Sequence, residues 1–202
     1  MTKIHKIRKL TFVRDLKIDE LINLIAFMYS NNSYNNRSNL VSLLLKKRRI
    51  IFPLRRSVSY KSASNSLITL ANLDLIDANG KLNYRGKYLA KTLKLDKKTF
   101  LGYLSYILLF EGNWICLIKA IEKIEKQDKN SLKFMREVVR MLVENSNLNP
   151  GINIRDMAIR IRGNNINWLK FLRIIDIKKE SLIVNSALIK EIKTKFKIPP
   201  QN

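Results

Sequence analysis

Apolar side chains recur at spacings of three and four residues in one segment after another of this 202-residue chain. In the stretch 18–29, this spacing places Ile18, Leu21 and Ile25 on one face of a helix. The same periodicity predicts helices over 40–47, 60–73, 85–93, 99–110, 114–126, 131–144, 152–161, 166–174 and 186–197. The pattern constrains the chain to a mostly helical fold, and the chain is long enough to bury one core or two small ones.

Two short segments break the helical pattern and predict β-hairpins. In the first, 75–77 and 82–84 flank an Asn79-Gly80 turn, and Asn-Gly is a strong hairpin signal. In the second, 175–177 and 182–184 flank the polar tip 178–181. Each hairpin follows a third helix and precedes a further one, so both halves have the order helix, helix, helix, hairpin, helix.

That order resembles the winged-helix variant of the helix-turn-helix fold, a DNA-binding family. The segment 60–73 resembles the family's recognition helix, 77–82 resembles the wing, and 83–89 is similar to the polar-x-x-Gly-x-x-Leu run that begins the next helix. In the second half, 172–176 is similar to the helix-to-wing junction and 182–188 to the return strand and helix start. Four positions share one register, the second member lying 99 residues after the first: Leu73 with Leu172, Ile76 with Ile175, Asp77 with Asp176, and Leu89 with Leu188.

The resemblance implies a mostly α fold with small β-hairpin wings, built from tandem winged-helix modules joined by a helical hairpin. The implied domains are 1–98, an N-terminal winged-helix-like DNA-binding domain; 99–129, a helical linker or dimerisation hairpin; and 130–202, a C-terminal winged-helix-like domain. The helix predicted over 99–110 is apolar almost all round. A homodimer through 99–126 is one interpretation of this feature, and a rigid connection between the modules is the other.

The chain carries 39 Lys and Arg residues against 16 Asp and Glu residues, a net charge of +23 at pH 7. Such a charge repels itself in the folded state, and a polyanionic partner relieves the repulsion. Nucleic acid is the commonest such partner, because each neutralised phosphate releases counterions. An anionic membrane surface and acidic proteins are the alternatives. Residues 1–98 hold 21 basic and 6 acidic side chains, and residues 99–202 hold 18 and 10, so the first half is expected to bind more tightly.

The candidate contacts with double-stranded DNA in the first half lie on the predicted recognition helix, the basic segment before it and the wing. An α-helix fits the major groove, where short polar side chains reach base edges, and Asn65 is best suited to a bidentate contact with adenine. The basic segment would bind phosphates, which position a protein without specifying sequence. The candidates are Lys46, Lys47, Arg48, Arg49, Arg55, Arg56, Ser59, Lys61, Ser62, Asn65, Ser66, Lys81 and Arg85. A smaller polar and basic surface in the second half comprises Arg155, Arg160, Arg162, Asn164, Asn165, Asn167 and Lys170.

Residues suited to catalysis or metal binding are sparse. The only cysteine, Cys116, lies in an apolar stretch, and the only histidine, His5, lies in a basic one, so we expect neither a catalytic triad nor a zinc site. The chain has no glycine-rich phosphate loop, and the acidic residues of 122–128 alternate with lysines, which explains them as ion pairs. We therefore expect no enzymatic activity, no cofactor, no metal and no small-molecule substrate.

The N-terminus is basic, but no long apolar run follows it, and the longest nearly apolar run, 101–110, is too short to cross a bilayer. The expected location is the cytoplasm, in association with the nucleoid and without a membrane. Three functions stay open. They are a sequence-specific transcription regulator, a replication initiator or partition protein of a plasmid or virus, and an interaction subunit whose winged helices bind protein in a larger complex.

Overall fold

The computed structural model describes residues 9–14, 16–31, 36–124, 131–178 and 181–199. His5, residues 125–129 of the predicted linker and the tip of the second hairpin at 179–180 lie outside these ranges. The described chain is mostly helical, as the periodicity predicted. The second predicted hairpin forms a two-stranded antiparallel sheet, whereas the first forms only a single bridge between Ile76 and Leu82. The helices are α1 (Ile18–Ser30), α2 (Arg37–Lys46), α3 (Arg48–Ile51), α4 (Tyr60–Asn72), α5 (Tyr84–Leu95), α6 (Lys97–Tyr106), α7 (Trp114–Lys123), α8 (Leu132–Glu144), α9 (Ile154–Arg160), α10 (Ile166–Phe171) and α11 (Ser186–Lys195), and the strands are β1 (Ile175–Lys178) and β2 (Ser181–Val184).

The chain divides into two compact units, and each takes a terminal segment from the opposite end of the sequence. Within the described residues, the N-terminal unit comprises 13–104 and 195–199, and the C-terminal unit comprises 9–12 and 105–194. The helices predicted as a linker or dimerisation hairpin are divided between the units. Ile107, Leu108 and Leu109, which make this segment so apolar, are buried.

The N-terminal unit is built on α1, whose apolar stripe is fully buried. Leu21, Leu24 and Ile25 have no exposed surface, and α1 packs against α3 and α5 while α2 packs against α4. The sequence predicts Ser38 as the cap of the second helix, and this prediction is wrong. The Asn36 carboxamide accepts the Asn39 N–H at 2.9 Å, so α2 begins at Arg37, three residues before the predicted start at 40.

The C-terminal unit packs α7 against α8 and α8 against α9. The sequence offers Asn130 or Ser131 as the cap of α8, and Ser131 has this role, because its hydroxyl accepts the Phe134 N–H at 3.0 Å. The indole rings of Trp114 and Trp168 lie 6.2 Å apart in the core, and the Trp114 Nε1–H donates to the Thr11 carbonyl at 2.8 Å. Both tryptophans are therefore core residues, as predicted.

The segment Gly163-Asn164-Asn165 predicts a turn between two helices, and this prediction is wrong. The segment Ile161–Asn165 is a π-helical turn that joins α9 to α10, and Arg160, Ile161, Asn165 and Ile166 all have right-handed helical backbone angles. Residues 154–171 therefore form one continuous helix. The glycine that suggested a turn, Gly163, lies in open space on this helix.

The end of this helix repeats the end of α4 at the 99-residue offset. In α4, the N–H groups of Asp74 and Leu75 donate to the carbonyls of Ala71 and Leu70; the corresponding bonds run from Arg173 to Lys170 and from Ile174 to Leu169. Asp74 and Arg173 both have positive φ, 54° and 57°. These hydrogen bonds satisfy the last carbonyl groups of each helix, and the residue with positive φ turns the chain toward the hairpin.

The two hairpins differ in length by three residues. Ile76 pairs with Leu82, whereas Ile175 pairs with Val184. The caps of the following helices, Asn83 and Asn185, are shifted by the same three residues. The predicted register of Leu89 with Leu188 is consequently wrong, because the longer hairpin brings Leu188 to the position of Gly86.

Candidate nucleic-acid interface

α4 is fixed at both ends and packs along one side. Its N-cap is Ser59, whose hydroxyl accepts the Ser62 N–H at 3.2 Å. Its C-terminal end is the turn at Asp74. The buried side of the helix consists of Ala63, Ser66, Leu67, Thr69 and Leu70. A helix held in this way presents its opposite side at a defined angle.

The exposed side of α4 is rotated relative to the sequence prediction. Ser66, predicted to contact bases, is fully buried, and its hydroxyl donates to the Ser62 carbonyl at 3.1 Å. Thr69 is fully buried as well, because its hydroxyl accepts the Arg14 N–H at 2.9 Å and donates to the Arg14 carbonyl at 3.2 Å. Tyr60, predicted to be buried, is 55% exposed.

The side of α4 that reaches solvent carries Lys61, Ser64, Asn65 and Ile68, and we refer to these four residues as the outer face. Lys61 is exposed and the other three are half-buried. Lys61 and Asn65 belong to the predicted set, whereas Ser64 and Ile68 do not. Their spacing of three and seven residues from Lys61 is the signal in the sequence that identifies them.

Arg55, predicted to bind phosphate, is bound inside the N-terminal unit. Its guanidinium forms two hydrogen bonds with the Glu20 carboxylate, at 2.7 Å from Nε to Oε1 and 2.5 Å from Nη2 to Oε2. Nη1 donates to the Ser62 hydroxyl at 2.6 Å, so Ser62, predicted to contact bases, is hydrogen-bonded within the unit as well. The guanidinium also lies 5.0 Å from the centre of the Phe52 ring. Arg55 thus joins α1, the loop before α4 and α4 itself.

The other cations of this segment are exposed. Lys46 ends α2, Lys47 follows it, Arg48 and Arg49 begin α3, and Arg56 lies just before the α4 cap. We call these five residues the basic rim. Among the residues that the structure describes, none of the five is ion-paired with a carboxylate. Because α2 packs against both α3 and α4, the rim lies along the elements that support the outer face.

The first hairpin supplies two further candidate residues. Gly80, at φ +85°, closes a tight turn in which the Lys81 N–H donates to the Asp77 carboxylate at 2.9 Å. The Lys81 side chain is exposed. Arg85 contacts the Asp74 carboxylate at 3.0 Å, and this carboxylate is 68% exposed. The Arg85 side chain is itself only 23% exposed, so it is less accessible to DNA than the Lys81 side chain.

The C-terminal unit places five of its seven predicted residues at the surface, and these are Arg155, Arg160, Arg162, Asn167 and Lys170. Asn164 is half-buried. Asn165 is fully buried, with its Nδ2 at 3.5 Å from the Thr11 carbonyl, and cannot reach DNA. The prediction for Asn165 was wrong because the π-helical turn directs this residue inward, toward the terminal segment 9–12 that belongs to this unit.

The Cys116 thiol lies in a half-buried position of the C-terminal unit. Burial raises the pKa of the Cys116 thiol to about 11, and its Sγ donates to the Asn113 carbonyl at 2.7 Å, so the thiol is protonated at neutral pH. Within the described ranges, no three His, Cys, Asp or Glu side chains are grouped closely enough to hold a metal ion. No single described helix is long and apolar enough to cross a membrane; Lys97–Glu111 and Trp114–Lys123 reach that length and composition only as a pair bent by 71°.

No protein-family model, no curated protein and no solved structure matches the chain.

Proposed function

We propose that this protein binds double-stranded DNA through the outer face of α4, with the basic rim on the flanking phosphates. The observation that carries the proposal is a pair of surfaces on one unit. One is a side of α4 with short polar residues, and the other is a set of five exposed cations on α2, on α3 and in the adjoining segments, which pair with no described carboxylate. An α-helix enters the major groove, and Lys61, Ser64 and Asn65 carry the donor and acceptor groups that read base edges. Exposed cations on adjacent elements bind phosphates and set the register.

We further propose that the units are tandem winged-helix modules. The support is the recurrence, 99 residues later, of the α4 terminus with its positive φ, followed by a hairpin and, 102 residues after the first, by an asparagine-capped helix. In this scheme the N-terminal unit binds DNA more strongly, because the C-terminal unit has fewer exposed cations near its third helix. A sequence-specific transcription regulator is the simplest protein with this organisation.

The salt dependence of binding tests the proposal. The triple variant Arg48→Ala, Arg49→Ala, Arg56→Ala should bind duplex DNA more weakly, and its log–log slope against salt should be shallower by about 0.9 for each phosphate that the variant no longer neutralises. Arg55 is left intact so that the fold is preserved. Fluorescence anisotropy with a labelled duplex at several salt concentrations measures the slope.

The matched control is Lys190→Ala, Lys193→Ala, Lys195→Ala, which removes the same charge from the exposed side of α11. A slope that changes equally in both triple variants would mean that only net charge matters, and the proposed interface would be rejected. Absence of DNA binding by the wild-type protein would reject the function itself.

Base recognition is tested at two neighbouring residues of α4. Asn65→Ala should reduce the preference for the best duplex, selected from a random pool, by about 1–3 kcal/mol or roughly 5- to 150-fold, because alanine cannot hydrogen-bond the base edge. Ser66→Ala should leave the preference unchanged, since Ser66 is buried. Competition of selected against random duplex measures the preference. A loss in Ser66→Ala but not in Asn65→Ala would show that the outer face is wrongly assigned.

A further inference from the structure

Two large apolar side chains lie exposed within the basic segment 46–56. Leu54 is 76% exposed and Ile50 is 63% exposed, between residues of the basic rim on both sides. Exposed leucines are common on protein surfaces and need no explanation by themselves. The rigidity of the turn that carries Leu54 is the second observation.

Leu54 occupies the tip of a turn that is fixed on both sides. The Arg55 N–H donates to the Phe52 carbonyl at 3.1 Å, and Pro53, at the second position of this turn, restricts the backbone further. Phe52 is only 1% exposed, and Arg55 is held by the buried Glu20. The tip is thus held in place before any partner binds, so little conformational entropy is lost when Leu54 is inserted into one.

We propose that Leu54, supported by Ile50, is an apolar wedge that inserts at a base step of the bound duplex and bends it. This inference rests on the proposed DNA binding and extends it to the shape of the DNA. Proteins that bend DNA insert such side chains between base pairs and kink the duplex by roughly 20–90°. The surrounding cations, Arg49 and Arg56 among them, neutralise phosphates that the kink brings closer together.

The charge and the size of the feature favour DNA over other partners. Two side chains are far fewer than the roughly 20–30 residues a side of a stable protein interface. α3 has only four residues, whereas helices that lie on a membrane surface are longer and have a continuous apolar face. An exposed leucine that is close in sequence to the exposed Arg49 and Arg56 suits the gap between two base pairs of a polyanion.

The test measures DNA bending by energy transfer between dyes at the two ends of a short duplex, with the full-length protein in excess. The wild-type protein should bend the duplex, and Leu54→Ala should lose at least half of the change in transfer. The salt slope of Leu54→Ala should equal that of the wild type, because the phosphate contacts are intact. Leu95→Ala is the matched control, since Leu95 is an exposed leucine of the same unit, at 83%, outside the proposed interface.

Each result decides the point. Binding without bending, or equal bending by Leu54→Ala and the wild type, overturns the wedge and leaves the proposed function intact. Binding to anionic lipid vesicles that Leu54→Ala reduces and Leu95→Ala does not assigns the tip to a membrane surface and also overturns it. Failure of the wild-type protein to bind any duplex overturns both proposals, and the anisotropy titration reveals this before bending is measured.

Discussion

Replacing Arg55 with alanine is expected to lower the free energy of unfolding by about 3–5 kcal/mol, the usual cost of breaking a buried ion pair from one side. The reason is Glu20, whose side chain is 3% exposed and whose two carboxylate oxygens are bound by the arginine. Without the guanidinium, that carboxylate is buried without a counter-ion and, among the described residues, keeps only the hydrogen bond from the Lys17 N–H, at 2.9 Å. Denaturation by urea, followed by circular dichroism, measures the loss.

The adjacent arginine provides the control. Arg56 is exposed, so Arg56→Ala should change the free energy of unfolding by less than about 0.5 kcal/mol while weakening DNA binding. The double variant Glu20→Leu, Arg55→Met should recover much of the stability lost in Arg55→Ala, because apolar residues can replace a buried pair. If Arg55→Ala is as stable as Arg56→Ala and loses as much DNA affinity, then Arg55 faces the DNA and the structural role assigned to it is wrong.

The helices and the hairpins could be predicted because their signals are local. The stripe of α1, the Ser131 cap of α8 and the Asn79-Gly80 turn depend on residues a few positions apart. The mostly helical fold with a small hairpin followed from these signals. A local signal can also mislead, as at Gly163, where a helix continues through a residue that usually marks a turn.

The accessibility of the candidate site residues could not be predicted, because distant segments determine it. Arg55 and Arg56 are adjacent arginines whose different roles the sequence does not reveal. Glu20, 35 positions before Arg55, binds Arg55 within the unit, whereas Arg56 is an exposed cation. Thr69 is covered by the backbone of Arg14, and Asn165 lies beside Thr11. The spacing of apolar residues distinguishes the buried side of a helix from the exposed side. In α4 this spacing is ambiguous, because a serine and a threonine lie on the buried side.

Gly86→Ala is expected to destabilise the N-terminal unit because α5 begins in direct contact with the base of the hairpin. A Cβ atom at position 86 would lie 2.1 Å from the Leu75 carbonyl oxygen and 2.9 Å from a methyl group of Leu82. Backbone has to shift to relieve such contacts, at a cost of about 1–3 kcal/mol or more. Alanine favours a helix over glycine by about 1 kcal/mol, which offsets part of this cost, so we expect a net loss of about 1–2 kcal/mol in urea denaturation.

Gly163→Ala is the control that measures helix propensity without a steric cost. An added Cβ at position 163 meets no atom within 4 Å, so this variant should be more stable by up to about 1 kcal/mol. Equal effects at both glycines would contradict the close approach of α5 to Leu75. In the C-terminal unit, Leu188 receives the same asparagine cap as Gly86, and the hairpin before it is three residues longer. The position bound by an asparagine cap therefore does not require glycine in general, and the requirement at Gly86 comes from the carbonyl of Leu75 and the side chain of Leu82 that lie against it.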